Sequence, residues 1–124
     1  MEVKSEKNAI KEVIQRYIDG TFRGDKAMLE SVFHKKAVMN GYLGQELVLD
    51  DPSPFIVDVT STPTMECEND PYHAEITSII ITGNVAAVVL SESGFRSTTS
   101  LVDFFHLIKT DDKWEIISKL FTTL

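Results

Sequence analysis

Apolar residues in the first part of the chain recur every three or four positions, which is the spacing of one buried helix face. The first such stretch begins after Ser5, a suitable N-cap, and reaches Gly24, which can end a helix. A second helix is predicted over residues 25–37, with an aspartate as its N-cap. Pro54 stands at a first helical position and predicts a third, short helix over residues 54–61.

The remainder of the chain changes to alternating β-branched and aromatic residues, which are typical of strands. A polar, turn-rich segment over residues 64–72 precedes the long strands, and Gly83-Asn84 predicts a two-residue hairpin turn. The predicted strands are 37–39, 46–49, 72–81, 85–95, 100–109 and 113–121. Helices followed by a meander of antiparallel strands predict an α+β fold, in one domain over residues 1–124.

The turn of the last hairpin decides which residue faces Asp103, a lone carboxylate inside the apolar run LVDFFHL. Its burial costs several kcal/mol unless the group is paired or protonated. A two-residue loop, Asp111-Asp112, places Asp103 opposite Leu120. A three-residue loop that also includes Thr110 places it opposite Lys119, where an Asp–Lys pair can form. We favour the three-residue loop.

This register gives both faces of the hairpin an apolar character. One face would carry Leu101, Asp103, Phe105, Leu107, Ile117, Lys119 and Phe121. The other would carry Val102, Phe104, His106, Ile108, Trp114, Ile116, Ser118 and Leu120. An antiparallel sheet with one solvated face does not show this pattern. The helices can cover one face, and a second copy of the sheet is the simplest cover for the other. We therefore expect a homodimer through the outer sheet face.

Composition narrows the class of function. The formal net charge of −7 at pH 7 argues against nucleic-acid binding. No apolar run approaches the roughly 20 residues that span a bilayer, so no membrane partner is expected and the cytoplasm is the expected location. Cys67 is the only cysteine, which excludes an internal disulfide within this sequence. His73 with Glu66, Glu68 and Glu75 matches no known ligand spacing, so we expect no metal and no cofactor.

Three segments carry a resemblance to a known family. They are YIDGTFRGD at residues 17–25, SVFHKKAVMNGY at residues 31–42, and the pattern D-x-x-x-L, K-W-x-I and K-L-F within residues 103–121. The chain resembles the nuclear transport factor 2-like (NTF2-like, SnoaL-like) superfamily, and within it the branch of small bacterial proteins described as "Putative lumazine-binding". The resemblance implies an NTF2-like cone, in which three helices pack on a strongly curved, mostly antiparallel sheet around an apolar pocket.

Ketosteroid isomerase, a member of this superfamily, offers the sharpest comparison. The resemblance places Tyr17 and Asp103 at the positions of its oxyanion-hole tyrosine and aspartic acid, and Phe121 near a pocket aromatic. The catalytic base of that enzyme falls at about Asn40-Gly41, and neither residue can accept a proton from carbon. Two roles for Asp103 therefore stay open, a structural partner of Lys119 or Tyr17 and a polar anchor at the base of a ligand pocket.

We expect the pocket to bind a small, partly aromatic organic ligand. The candidate ligand-binding residues are Tyr17, Phe33, Met39, Tyr42, Phe55, Val59, Asp103, Phe105, Ile117, Lys119 and Phe121. One alternative is a cofactor-free isomerase, dehydratase or cyclase in which Tyr17, His34 and Asp103 transfer protons. In that setting His34 would lie at the end of the second helix, where it could also act only as a helix-terminal cation. Another alternative is a protein-interaction module with no ligand.

Overall fold

The computed structural model describes residues 5–124, so the first four residues of the predicted domain lie outside the described part. Two helices and two strands are followed by a third helix and four long strands. In chain order these elements are α1 Glu6–Arg23, α2 Lys26–Val32, β1 Phe33–Leu43, β2 Glu46–Asp50, α3 Ser53–Thr60, β3 His73–Thr82, β4 Val85–Phe95, β5 Thr99–Thr110 and β6 Lys113–Thr123. The fold is α+β, as predicted.

Helix α1 begins and ends where its capping residues predict. The Ser5 side chain accepts a hydrogen bond from the Asn8 backbone N–H at 3.1 Å, which satisfies one free donor of the first turn. Gly24 ends the helix in the left-handed region, with φ at 67°, a conformation that side chains with a Cβ rarely adopt. The buried face of the helix contains Ile10, Ile14 and Tyr17, so the predicted periodicity is confirmed.

Helix α2 is shorter than predicted. It ends at Val32, and the segment expected to complete it forms the start of β1. Phe33 aligns with Ile116 of the parallel strand β6, and Ala37 and Met39 are buried in the strand. Pairing with β6 and burial of these apolar residues override a local sequence that is also compatible with a helix.

All six strands form one sheet in the order β2-β1-β6-β5-β4-β3. The pair β1–β6 is parallel and the other four pairs are antiparallel. The sheet is curved, and its inner face packs on the helices to form the core. Gly41 fits here because a Cβ at this position would lie 2.0 Å from the Phe121 carbonyl oxygen of the neighbouring strand.

The predicted register of the last hairpin is wrong. The loop has two residues, Asp111 and Asp112, both with positive φ, and this matches a tight primed turn. Ile117 is then an extra residue in β6, so that a bulge shifts the pairing and Asp103 lies opposite Phe121. Lys119 still shares the inner face with Asp103, but it lies opposite Phe105 two positions along the strand. Neither loop length by itself pairs Asp103 with Phe121, because the bulge changes the register within the strand.

The bulge also reverses part of the predicted face assignment. Trp114 and Ile116 are buried on the inner side, although we expected them on the outer face. The outer sheet face is the surface of the sheet that points away from the helices, and it exposes a set of large apolar side chains. They are Val38 at 43%, Tyr42 at 48%, Ile80 at 63%, Val85 at 53%, Phe104 at 45% and Leu120 at 53% of their full accessible area.

Candidate functional site

A cavity of about 350 Å³ opens between helices α1 and α3 and the inner face of the sheet. Its walls are apolar and include Met39, Leu43, Val48, Pro54, Phe55, Phe95, Leu101 and Phe121. Three buried polar residues form the floor of the cavity, namely Tyr17, Glu92 and Lys119. Four exposed carboxylates form its rim, namely Glu46, Asp50, Asp51 and Asp58. The cavity therefore combines apolar walls with polar groups at both ends.

Lys119, Tyr17 of α1 and Asp103 of β5 form a buried polar cluster. Its Nζ donates a hydrogen bond to the Tyr17 hydroxyl at 2.6 Å and lies 4.0 Å from Asp103 Oδ1. The Tyr17 hydroxyl in turn donates to Asp103 Oδ2 at 3.4 Å. The three side chains are at most 3% exposed, so their interactions are poorly screened by water. The cluster holds one positive charge next to a carboxylate, which offsets part of the cost of burying both.

Three aromatic rings also lie close to the Lys119 ammonium. Its Nζ lies 4.0 Å from the ring centroid of Phe55, 5.1 Å from that of Tyr17 and 5.3 Å from that of Phe121. A cation over the face of a ring is attracted by the ring's electron density, and the attraction is stronger in a desolvated site. Tyr17 and Phe55 are stacked, with centroids 5.8 Å apart, so α1 and α3 meet above the ammonium.

Glu92 extends the cluster from the neighbouring strand β4. The register of β4 and β5 pairs Leu90 with Asp103, which places Glu92 diagonally across from Asp103 on the same inner face. The Tyr72 hydroxyl donates a hydrogen bond to Glu92 Oε2. Burial raises the pKa of Glu92 to about 9, and the adjacent Asp103 carboxyl adds to this effect. Glu92 is therefore a neutral acid at pH 7.

One proton shared between Glu92 and Asp103 gives a hydrogen-bond partner to each carboxyl oxygen of the cluster that otherwise lacks one. Glu92 Oε1 and Asp103 Oδ1 are the two buried carboxyl oxygens of the described residues that have no donor. A proton on Glu92 that is donated to Asp103 gives both atoms a partner. Burial and the nearby carboxyls raise the pKa values of Tyr17 and Tyr72, so both remain phenols. One negative charge on the pair then balances the charge of Lys119.

The structure brings five of the predicted ligand-binding residues to the cavity surface. They are Tyr17, Met39, Phe55, Lys119 and Phe121. Four others are buried behind that surface and support it, namely Phe33, Val59, Asp103 and Phe105. Phe33 and Phe105 both pack edge-on against the Tyr17 ring, and Asp103 holds the Tyr17 hydroxyl and the Lys119 ammonium.

Three predicted site residues lie away from the cavity. Tyr42 alternates with the buried Met39 and Gly41, so its side chain is on the outer sheet face. Ile117 is the bulge residue and lines an outer groove with His106 instead. His34 lies in β1 and not at a helix end, and its Nδ1 accepts a hydrogen bond from the Lys36 backbone N–H at 3.0 Å.

Sequence reasoning missed Glu92, although a signal for it exists. Val88, Leu90 and Glu92 share one phase of the β4 alternation, and the first two are buried apolar residues. A strand period of two therefore places Glu92 on the inner face as well. Tyr72 and the rim carboxylates have no comparable signal, because loops and short strands bring them to the site.

Two features are absent from residues 5–124. No group of three or more histidine, cysteine, aspartate or glutamate side chains in this range is placed to hold a metal ion. No helix in the same range is long and apolar enough to cross a membrane.

Comparisons with known structures agree with this architecture. An NTF2-like protein of unknown function from Shewanella baltica OS155 is 24% identical, with a TM-score of 0.84 and coverage of 99% of this chain and 98% of that chain. One from Methylobacillus flagellatus KT is 26% identical, with a TM-score of 0.86 and coverage of 99% and 96%. A ketosteroid isomerase-like protein from Erwinia carotovora atroseptica SCRI1043 is 14% identical, with a TM-score of 0.68 and coverage of 98% of both chains.

Sequence comparison identifies the family. No curated protein sequence gives a significant match. A family model described as "Putative lumazine-binding" matches residues 5–122, which is nearly the whole chain. The predicted resemblance is therefore confirmed: the chain belongs to the "Putative lumazine-binding" family and has an NTF2-like fold.

Proposed function

We propose that the protein binds a small, partly aromatic organic molecule in the cavity. The observation that carries this proposal is the floor, where Tyr17, Glu92 and Lys119 converge among apolar walls. A few fixed polar groups in an otherwise apolar cavity are the usual composition of a small-molecule site. The volume of about 350 Å³ is at the small end of such sites, which favours a compact ligand of one or two rings.

The buried polar cluster is difficult to explain by stability alone. Replacing a buried ion pair by apolar residues of similar volume is often neutral or stabilising. Here Lys119 and Glu92 both reach the cavity surface, and Asp103 lies directly behind them. We assign Asp103 the role of a positioning residue, which fixes the Tyr17 hydroxyl and the Lys119 ammonium for a ligand.

Native mass spectrometry of the purified protein, followed by a thermal-shift screen of small aromatic compounds, tests this function. We expect a retained small molecule or stabilising aromatic hits. Val48→Trp should fill the cavity and abolish both signals, because Val48 is part of its wall. Val57→Trp is the matched control, since Val57 is 65% exposed on α3 and does not line the cavity. Absence of any ligand or hit, or equal signals from both variants, would contradict the proposal.

A cofactor-free acid–base enzyme is the second candidate function, and the neutral acid Glu92 at the cavity floor favours it. In this enzyme Glu92 would have the proton-transfer role that the sequence suggested for His34. The step would be enolisation, in which Glu92 gives its proton to the ketone oxygen of 2-acetylnaphthalene while solvent water takes a proton from the methyl carbon, and the test follows the resulting hydrogen–deuterium exchange at that methyl group in D₂O by NMR. Exchange that is faster than in buffer and lost in Glu92→Gln supports an enzyme. Binding without accelerated exchange supports a binding protein.

We also propose that the protein is a homodimer through the outer sheet face. Phe104 and Leu120 pair with each other across β5 and β6 and are about half exposed in the single chain. A contiguous apolar sheet face of this kind marks an interaction surface. A second copy would cover it with the same residues in an isologous contact.

The cytoplasm remains our proposed compartment. With Cys67 as its only cysteine, this sequence cannot form an internal disulfide and does not depend on an oxidising environment.

A further inference from the structure

The outer sheet face carries a ridge and a groove side by side. Phe104 and Leu120, which align with each other across β5 and β6, form the ridge. In the next row of the sheet, His106 aligns with Ala87 on one side and with Ser118 on the other. The small side chain of Ala87 leaves room there for a groove of about 410 Å³. Its other lining residues include Ile80, Val85, Ile108 and Ile117.

A face with both shapes fits a second copy of itself. A two-fold axis between the ridge and the groove lays the ridge of each copy in the groove of the other. The chain has a formal net charge of −7, so two copies repel each other over most of their surface. Among residues 5–124, the side chains that line the groove include no lysine, arginine, aspartate or glutamate. Shape and charge therefore both favour a second copy as the occupant of the groove.

Among the described residues that line the groove, His106 alone is titratable. Its side chain is exposed, and it has no hydrogen bond or ion pair within the described part of the chain. The ridge of a second copy would cover it with apolar side chains. A neutral imidazole tolerates such a cover, whereas a charged imidazolium that loses its water without gaining a partner is costly. Histidine ordinarily changes its charge between pH 5 and 8.

The charged groups nearest to His106 in the sheet register lie on β6. Glu115 aligns with Ile108, the next residue of β5 on the outer face, and pairs with Lys113 at 3.8 Å. The Glu115 side chain is 18% exposed, so that lysine already compensates a largely buried carboxylate. Within residues 5–124 no ion pair joins Glu115 to His106. The neighbouring strand β4 presents Val85, Ala87 and Val89 on this side.

The other charged groups of the outer face lie further away. Glu75 and His73 of β3 align with Ser91 and Ser93, towards the other end of β4 from the groove. Lys36 of β1 alternates with the exposed Val38 and adds a positive charge to this side of the sheet. A two-fold contact would add a second protonated His106 to the same interface. Protonation of His106 is therefore not compensated at the proposed contact.

We infer that protonation of His106 separates the two copies, which makes the outer sheet face an acid-sensitive interface. This inference rests on the proposed homodimer and adds the groove as the contact and His106 as the group that regulates it. The separated chains bind more protons than the dimer, so the dimer loses stability as the pH falls. The net charge acts in the opposite direction, because acid makes the chain less negative and weakens the repulsion between copies.

Sedimentation velocity of the full chain over a dilution series, at pH 7.5 and pH 5.5 in the same salt, measures the dimer dissociation constant. We expect the constant to rise at least about tenfold at pH 5.5, since two histidines per dimer must lose a proton on association. Circular dichroism at both pH values monitors the fold. A constant that is equal or smaller at pH 5.5 would overturn the inference.

Matched variants assign the effect to one histidine. His106→Gln cannot take up the proton, so its dissociation constants at the two pH values should agree within about twofold. His106→Leu is a second variant, which makes the groove more apolar and should dimerise at least as tightly as the natural sequence at pH 7.5. His73→Gln and His34→Gln are the controls and should keep the acid sensitivity of the natural sequence. Acid sensitivity that persists in both His106 variants would also overturn the inference.

The two failures are distinguishable. A natural sequence that is monomeric at both pH values contradicts the proposed homodimer, and the inference fails with it. A natural sequence that is equally dimeric at both pH values supports the homodimer and overturns only the role of His106.

Discussion

Asp103 and Phe104 are neighbours in β5, but their side chains lie on opposite faces of the sheet and in different surroundings. Asp103 points to the inner face and is completely buried, whereas Phe104 points to the outer face and is 45% exposed. Each departs from the usual placement of its residue type. On the inner face, Tyr17, Glu92 and Lys119 compensate the buried charge within the chain. On the outer face no element of the described chain covers the apolar side chains.

The comparison shows which groups a single copy of the chain can satisfy: it compensates the buried carboxylate but does not cover the apolar outer face. A buried carboxylate must be satisfied within the folded chain, because an isolated charge in the core costs more than most domains can tolerate. An exposed apolar face costs little in the folded monomer, but it is a source of free energy for association. The polar groups of the inner face are therefore satisfied largely within the chain, whereas the outer face is available to the second copy of the chain that we propose.

The largest effect is expected when the inner cluster loses its cation. Lys119→Met leaves Asp103 as an uncompensated buried carboxylate and should lower the free energy of unfolding by about 3–5 kcal/mol. Urea denaturation at pH 7 measures the change. Lys113→Met is the control, because Lys113 is 63% exposed in its pair with Glu115 and its removal should cost less than about 1 kcal/mol. Similar losses in both variants would show that the inner pair contributes no more than a surface one.

A charged side chain on the outer sheet face should prevent the proposed dimer from forming. Phe104→Asp places a carboxylate on the proposed interface, and a symmetric dimer would bring two such charges together. Sedimentation at micromolar concentration should show a dimer for the natural sequence and a monomer for the variant. Val57→Asp adds the same charge at an exposed site of α3 and should stay dimeric. A natural sequence that sediments only as a monomer would contradict the proposed homodimer.

The pH dependence of stability should reveal the neutral acid of the inner face. The pKa of Glu92 is raised from 4.5 to about 9, so the folded chain binds one proton more than the unfolded chain between these values. Its contribution to stability is present at low pH and is lost as the pH rises through this window, by at most about 1.4 kcal/mol per pH unit.

Glu92→Gln isolates this contribution, since glutamine has a similar shape and does not titrate. Urea denaturation at pH 5.5 and 8.5 should show that the variant loses less stability than the natural sequence between the two values. Parallel pH profiles of the two proteins would mean that Glu92 is ionised in the folded state throughout this range.

The smallest effect is expected from the hydroxyl at the end of the cluster. Tyr72 donates to the Glu92 carboxyl and thereby lowers its pKa, against the larger effect of burial. Tyr72→Phe should raise the pKa of Glu92 further and cost about 0.5–1.5 kcal/mol of unfolding free energy. An NMR titration of Glu92 in the variant measures the shift. A fall in the pKa would contradict the direction of the hydrogen bond.

Local signals predicted most of the fold. Ser5 and Gly24 bound α1 as expected, since capping depends on residues next to the helix end. The end of α2 could not be predicted in this way, because residues 33–37 join β1 through pairing with a strand about 80 positions later. The Ile117 bulge is likewise set by the packing of the whole sheet, and it changed the partner of Asp103.

The site was predictable to a smaller extent. The family resemblance placed Tyr17 and Asp103 together, and the structure joins them by a hydrogen bond. Lys119 reaches the same cluster, although the register that suggested it was wrong. Glu92 was hidden because an acidic residue in a strand is usually exposed, and only the three-dimensional pairing of β4 with β5 shows that it meets Asp103.

The protonation of Glu92 is the most direct test of the inner face. Selective ¹³C labelling of glutamate carboxyl groups, with Glu92→Gln to assign the signal, allows Glu92 to be titrated by NMR. The buried polar cluster predicts a Glu92 carboxyl signal that is neutral at pH 7 and titrates near pH 9. A Glu92 signal that is already ionised at pH 7 and titrates near 4.5 would contradict the shared proton and the neutral floor of the cavity.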